Sequence, residues 1–331
     1  MFKSHLPLLR ALGADIPWIL DIDKTRAQAV AKAFAIPLAL GADELALATA
    51  TGVVLVACPY GSRAPYYRFL VGRPAAIYVE KPIARSVSEL ERICELRPDY
   101  ALAAGFLHRS AGVTTIVKAL IEDEVFGNLR RVRSEFGTAT VISSGGSFAK
   151  EIALAGGGQL FESAIHNIDT VCYMGGISRA VVRECRMEAE GQFDLHTEAR
   201  VQLTDARGRE IELELLVTCF HNTQYEIEME FDRARLSFSL FKRKPLTVRA
   251  LQGQRNYRLL DAAQADHPRD AYDVLYVFWT DFLSGLEVQR PNYTSARTTM
   301  VTASIIEQLY RLGVGGEAHS PATASTNLFL P

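Results

Sequence analysis

The sequence predicts an N-terminal α/β domain built on a parallel, doubly wound sheet, followed by an α+β domain with a large, mostly antiparallel, open-faced sheet. Three observations lead there. Residues 1–106 alternate apolar strand-like runs with helix-like runs across short connections. From about 178 to 260 the chain instead carries several long strands of alternating character. At 331 residues it is also too long for one ordinary core. The expected domains are 1–106 and 107–331.

Residues 4–12 have helical period, and "IPWILDID" (16–23) is a short apolar strand ending in acids. "KTRAQAVAKAF" (24–34) is rich in helix formers. "GVVLVACP" (52–59) and "AAIYVEKP" (75–82) are near-continuous apolar runs, as strands buried on both faces require. A helix at about 64–70 separates them. "SVSELERICEL" (86–96) follows as a helix with Ser86 as N-cap and Glu89 three residues on, and "YALAAGF" (100–106) closes the series. Beyond 106, a helix (113–122) leads into "NLRRVRSEFGTATV", which alternates like a half-exposed strand. A helix at about 158–173 precedes the strands "AVVRECRMEAE", "TEARVQLTD", "EIELELLVTCF" and "YEIEMEFDRARLSFSL", with a hairpin tip at "DARGR" (205–209). Helices near 271–286 and 295–311 end the chain.

Composition excludes several classes. Net charge is −2 with basic residues scattered, so no nucleic-acid footprint exists. No apolar run reaches the roughly 18 residues that a membrane span needs. The start resembles a signal peptide faintly, but Arg10 and Asp15 interrupt it. The five cysteines have neither disulfide nor zinc spacing, so a reducing, cytoplasmic setting and no metal site are expected.

Chemistry-bearing residues gather at strand ends. Asp21 and Asp23 end the first apolar strand. An acid there either bonds the adenosine ribose hydroxyls of a dinucleotide, favouring NAD over NADP, or merely caps the next helix. Pro59, with no N–H to donate, suits a strand end beneath a flat ring or an ordinary loop. In "VEKP", Pro82 holds Lys81 in an extended corner, where it serves as a catalyst or as an exposed ion pair with Glu80. In "GGGQLFESAIHNIDTVCYMGG" (156–176), Glu162, His166 and Asp169 form a polar stripe at i, i+4, i+7. An imidazole between two carboxylates can handle protons, or the stripe is a solvated helix face. "RKPLTVRA" (243–250) and "HPRDAYD" (267–273) carry Arg and His without an assigned role.

The order of these pieces, with "AAGFLHRS" and "VFGNLRRV" between them, resembles the glucose–fructose oxidoreductase and inositol dehydrogenase (Gfo/Idh/MocA) family over most of the chain. The resemblance implies a Rossmann domain carrying NAD or NADP and a C-terminal sheet that often builds homo-oligomers. Its members oxidise or reduce small molecules such as sugars, polyols and imines. By the same resemblance, Lys81 reaches the nicotinamide ribose and the substrate hydroxyl, and His166 acts as general acid/base. Glu162 stands where many members have Asp and would orient His166. Asp21, Pro59, Glu80 and Lys81 would border the cofactor. Arg63, which falls where members often carry His, would join Arg109 and Asp169 near the substrate.

One departure matters. The family begins with a strand and a G-x-G-x-x-G turn, whereas "MFKSHLPLLRAL" aligns with the helix after it. Two readings are open: a start lying upstream, or a member without its glycine turn acting as a non-catalytic binding or scaffold subunit. Wide apolar patches on the C-terminal sheet would favour an assembly role.

Overall fold

Trp18–Leu20 (β1) and Leu38–Leu40 (β2) pair in parallel around helix Lys24–Phe34 (α2), while helix His5–Ala11 (α1) precedes them. Val53–Val56 (β3), Ala76–Val79 (β4) and Leu102–Ala104 (β5) form a second parallel sheet, connected through helices Ala64–Leu70 (α3) and Val87–Cys94 (α4). The computed structural model describes residues 4–139, 156–190, 193–242, 244–251, 256–259 and 271–313. Within them β1 and β3 do not pair with each other. The order β2-β1, then β3-β4-β5, is that of a doubly wound sheet of order 3-2-1-4-5-6 with its central strand left out. The short strand β2 lies outside the elements expected from the sequence.

Local chemistry explains the helix starts. Asp23 accepts from the amides of Thr25 and Arg26 at the head of α2, and Ser86 accepts from Glu89 at the head of α4. Strand alternation explains the packing. Ile77 and Val79 join Tyr67, Leu70, Leu90 and Ile93 on one face. Ala76 and Tyr78 face the other side, where Phe278, Trp279 and Phe282 cover them. Those aromatics lie on Ala271–Glu287 (α7), so a helix far along the chain returns to cover the N-terminal sheet.

Among the described residues a third sheet has eight strands. In chain order these are Leu129–Gly137 (β6), Ile177–Glu190 (β7), Phe193–Asp205 (β8), Glu210–Thr218 (β9), Ile227–Phe231 (β10), Ala234–Phe238 (β11), Leu246–Ala250 (β12) and Asn256–Leu259 (β13). All pairings are antiparallel except β6 with β9. Helix Gly112–Glu122 (α5) precedes β6, and Ile165–Met174 (α6) and Met300–Gly313 (α8) pack on one face of the sheet. "YEIEMEFDRARLSFSL" is two strands rather than one. The amides of Asp232 and Arg233 donate to the carbonyls of Asn128 and Phe126, which turns the chain between β10 and β11. The outer face carries cross-strand ion pairs, Arg131–Glu212, Arg133–Glu214 and Arg235–Glu230 among them, in place of the apolar patches that an assembly role would favour.

Arg109 and Asp169 occupy the junction between these parts. Each side chain is 1% exposed. Arg109 Nε donates to Asp169 Oδ2 at 2.7 Å and Nη2 to Oδ1 at 2.6 Å. Its remaining donors reach Tyr293 O and Thr298, and Thr302 adds a bond to Asp169 at 3.0 Å. Neither residue lines the cavity described below, near which the sequence expectation placed them. The three-residue step from His166 to Asp169 rotates about 300° round the helix, and the Arg109 fork captures the carboxylate inside. We predict that Asp169→Asn, which leaves a buried guanidinium without its counter-charge, costs about 3–5 kcal/mol in urea unfolding at neutral pH. A loss below about 1 kcal/mol would show that the pair does not hold this junction.

Candidate active site

Strand β4 is fully buried, and its chain emerges at Glu80 and Lys81. The Glu80 carboxylate collects three bonds: His5 Nε2 at 3.0 Å, Tyr78 Oη at 2.9 Å and the Lys81 amide at 3.2 Å. Trp279 Nε1–H donates to His5 Nδ1 at 3.1 Å, so the proton of the neutral ring sits on Nε2 and points at Glu80. Burial opposes ionisation of Glu80, but the His5 and Tyr78 bonds and the nearby Lys81 charge outweigh it and hold the carboxyl below its usual range. A Cβ on Gly105 would stand 2.8 Å from Glu80 Oε2 and 2.9 Å from the Lys81 nitrogen. Only glycine lets β5 pass so close.

The Lys81–Pro82 bond is cis. Arg63, 3% exposed, donates from Nε to Cys58 O at 3.1 Å and from Nη1 to Pro82 O at 2.5 Å. It therefore ties the end of β3, where Pro59 stands, to the Glu-Lys-Pro corner. This corrects the sequence expectation of a substrate contact: Arg63 is a buried strut, because both carbonyls it serves lie beneath the site.

The glycine run before α6 solves a packing problem within the protein. Gly156 adopts φ +82°, and a Cβ on Gly158 would lie 2.4 Å from Asp194 O and 2.5 Å from Asp194 N. That closeness lets the Asp194 carboxylate accept from the Gly158 and Leu160 amides at 2.8 and 2.6 Å, with the Tyr310 hydroxyl also donating to it. Burial pushes the Asp194 carboxyl up to about 6 against these bonds. The helix head thus anchored begins with a π turn, Leu160–Ala164, a feature frequent at functional sites.

From that turn Glu162 meets Lys81. Lys81 Nζ donates to Glu162 O at 2.5 Å and to Glu162 Oε1 at 3.1 Å. Both side chains, with Ser163, His166 and Lys242, line a cavity of about 480 Å³ whose apolar wall is Phe136, Tyr225 and Phe241. His166 Nδ1 is buried with no hydrogen-bond partner among the described residues, so Glu162 does not hold it through that atom. Behind His166 lies His108, ring centroids 4.7 Å apart and edge-to-face. Burial, then the neighbouring His108 and Lys81, drive His166 well below the ordinary histidine value. Burial and Lys81 likewise lower His108 to about 4. Both imidazoles are therefore neutral at pH 7, beside an ammonium paired to a carboxylate.

Sequence reasoning singled out Lys81, Glu162 and His166, and the structure brings them into one cavity. It missed His108, Lys242 and the aromatic wall, which have no local motif. Asp21 and Pro59 stand at the ends of β1 and β3, outside the cavity lining. Asp21 Oδ1 accepts from the Asp23 amide at 2.9 Å, and Oδ2 lies 3.7 Å from the exposed Arg26. A larger hollow of about 610 Å³ on the outer face of the eight-stranded sheet is lined chiefly by Arg and Glu, some of them cross-strand pairs.

Two family models match this chain: an oxidoreductase family with an NAD-binding Rossmann fold over residues 1–102, and the GFO/IDH/MocA C-terminal domain over residues 114–237. The chain belongs to the Gfo/Idh/MocA oxidoreductase family. Solved structures agree on the fold. Levoglucosan dehydrogenase in complex with NADH superposes with a TM-score of 0.78 at 17% identity, covering 94% of each chain. A 3-ketoreductase from Actinomadura kijaniata in complex with NADP and TDP-benzene gives 0.75 at 16%, covering 94% of each. Aldose-aldose oxidoreductase from Caulobacter crescentus, complexed with glycerol, gives 0.73 at 16%, covering 91% of this chain and 90% of that one. No curated protein matched the sequence.

In this family member the strand ends fit the two extremities of a dinucleotide. The half-exposed Asp21 carboxylate suits a ribose diol, while Pro59 and Lys81 suit the nicotinamide end. We predict that the His108 ring titrates near 4 by NMR and that Lys81→Met raises this midpoint, since a removed positive charge no longer opposes protonation. The midpoint should stay below the ordinary histidine value, because burial is the larger cause. No movement would mean that the ammonium does not act on the two rings.

Proposed function

We propose that this protein transfers a hydride between NAD(P) and a carbon bearing a hydroxyl or carbonyl oxygen in a sugar, polyol or related small molecule. The observation that carries the reading is the meeting of Lys81, from the end of β4, with Glu162 and His166 in one cavity. The relatives' substrates support it: their names include levoglucosan and aldoses.

When bound, the nicotinamide supplies the hydride acceptor or donor. Lys81 donates a hydrogen bond to the substrate oxygen, and Glu162 is a positioning residue that fixes the ammonium through carboxylate and carbonyl together. His166 rests neutral and takes the hydroxyl proton during oxidation. In the reducing direction the same imidazole, once protonated, returns the proton to the substrate oxygen while Lys81 keeps its hydrogen bond there. Asp21 favours NAD over NADP by opposing a 2′-phosphate. Copies of the chain associate through the C-terminal sheet. The five cysteines are free, in keeping with a cytoplasmic setting, and among the described residues no helix is long and apolar enough to cross a membrane.

A non-catalytic binding or scaffold role is the second reading, favoured by the parallel strands falling into two sheets. Turnover separates the two. In an absorbance assay of NAD(P)H over sugars and polyols, Lys81→Met and His166→Asn should each lower kcat/KM by roughly 10²–10⁴-fold. The acid limb for oxidation should lie well under pH 6.5, because a lowered His166 pKa keeps the base competent until the pH falls through it. Variants that match wild type would remove these residues from the mechanism.

A further inference from the structure

Lys242 is the charged group among the cavity's described residues that the reaction does not use. It sits just past β11 on a loop held by the buried Ser239, whose hydroxyl accepts from the Phe241 and Lys242 amides at 3.3 and 3.0 Å. Its ammonium donates to Thr223 O at 3.1 Å and lies 4.6 Å above the Tyr225 ring. Backbone and side chain are therefore both placed, although an exposed lysine ordinarily stays mobile and solvated. Among the described residues no carboxylate lies within ion-pair distance of it.

The cavity's charges then leave a remainder. Lys81 and Glu162 compensate each other, and the lowered pKa values keep His166 and His108 neutral. Among the described residues, Lys242 contributes one positive charge with no carboxylate at ion-pair distance, on the aromatic wall formed by Tyr225 and Phe241. A neutral polyol has nothing to offer an ammonium beyond the hydrogen bonds that water already gives. A carboxylate gains a charge-assisted bond in a site partly screened from solvent. A phosphate dianion would keep half its charge unanswered, and no guanidinium fork lines the cavity to meet it.

We infer that the substrate is a hydroxylated monocarboxylic acid, a sugar acid, whose carboxylate binds Lys242 while its reacting hydroxyl lies at Lys81 and His166. This rests on the dehydrogenase reading and adds the substrate class to it.

The test compares D-gluconate and D-glucuronate with D-glucose, by calorimetric binding and by NAD(P)H turnover, in wild type, Lys242→Met and Lys242→Arg. The methionine keeps an apolar stem beside Tyr225 and removes the charge. Wild type should prefer the acids by at least about tenfold in kcat/KM, with binding that weakens as salt rises. Lys242→Met should raise KM for the acids roughly 10–100-fold with a much smaller change in kcat, and Lys242→Arg should restore most of the affinity. Acids that bind through Lys242 without turnover would keep the carboxylate site and sink the dehydrogenase reading, and with it the acid as substrate. Turnover that ignores the carboxylate, with Lys242→Met retaining the acid KM, would sink the inference and keep that reading. Absence of binding by all three compounds would overturn the inference directly.

Discussion

The bond from Lys81 to Glu162 joins two parts of the molecule that share no strand. Lys81 ends the parallel sheet, and Glu162 heads a helix packed on the mostly antiparallel one. An ammonium bound at once to a carboxylate and to a backbone carbonyl has few orientations left, so its geometry transmits the relative placement of the two sheets to the cavity. Most of the surrounding structure holds one end or the other. On the Lys81 side, Trp279 and His5 fix Glu80, and Arg63 ties the corner to β3. On the Glu162 side, Asp194 and Tyr310 fix the helix head. The Arg109–Asp169 fork closes the junction behind.

This arrangement sets the electrostatics of the cavity. An ammonium near two buried imidazoles disfavours their protonation, and burial adds to the effect. The cavity thereby divides its roles: charged groups bind and polarise, while neutral rings remain able to accept a proton.

Elements with local causes were legible in the sequence. Ser86 and Asp23 mark their helices because a cap bonds within three residues of itself. Lys81 was legible because proline constrains the residue before it, and His166 because it follows a glycine run. What resisted reading depends on partners far along the chain. Arg109 and Asp169 looked like site residues, yet each answers the other across 60 positions. Arg63 was expected near the substrate and bonds two backbone carbonyls. The glycine run allows a close backbone approach, and the partner it admits, Asp194, lies 36 positions along the chain. His108 lies within "AAGFLHRS" but had no role assigned, and Lys242 has no motif; the turn after β5 brings the first against His166 and the loop after β11 brings the second to the cavity.

The central claim is that these strand ends, joined through Lys81, hold a nicotinamide dinucleotide. The most direct test is a fluorescence titration of the 331-residue chain with NADH and with NADPH. The account predicts saturable binding with a Kd on the order of micromolar, tighter for NADH because Asp21 opposes a 2′-phosphate. Absence of binding by either nucleotide, or a clear preference for NADPH, would contradict it.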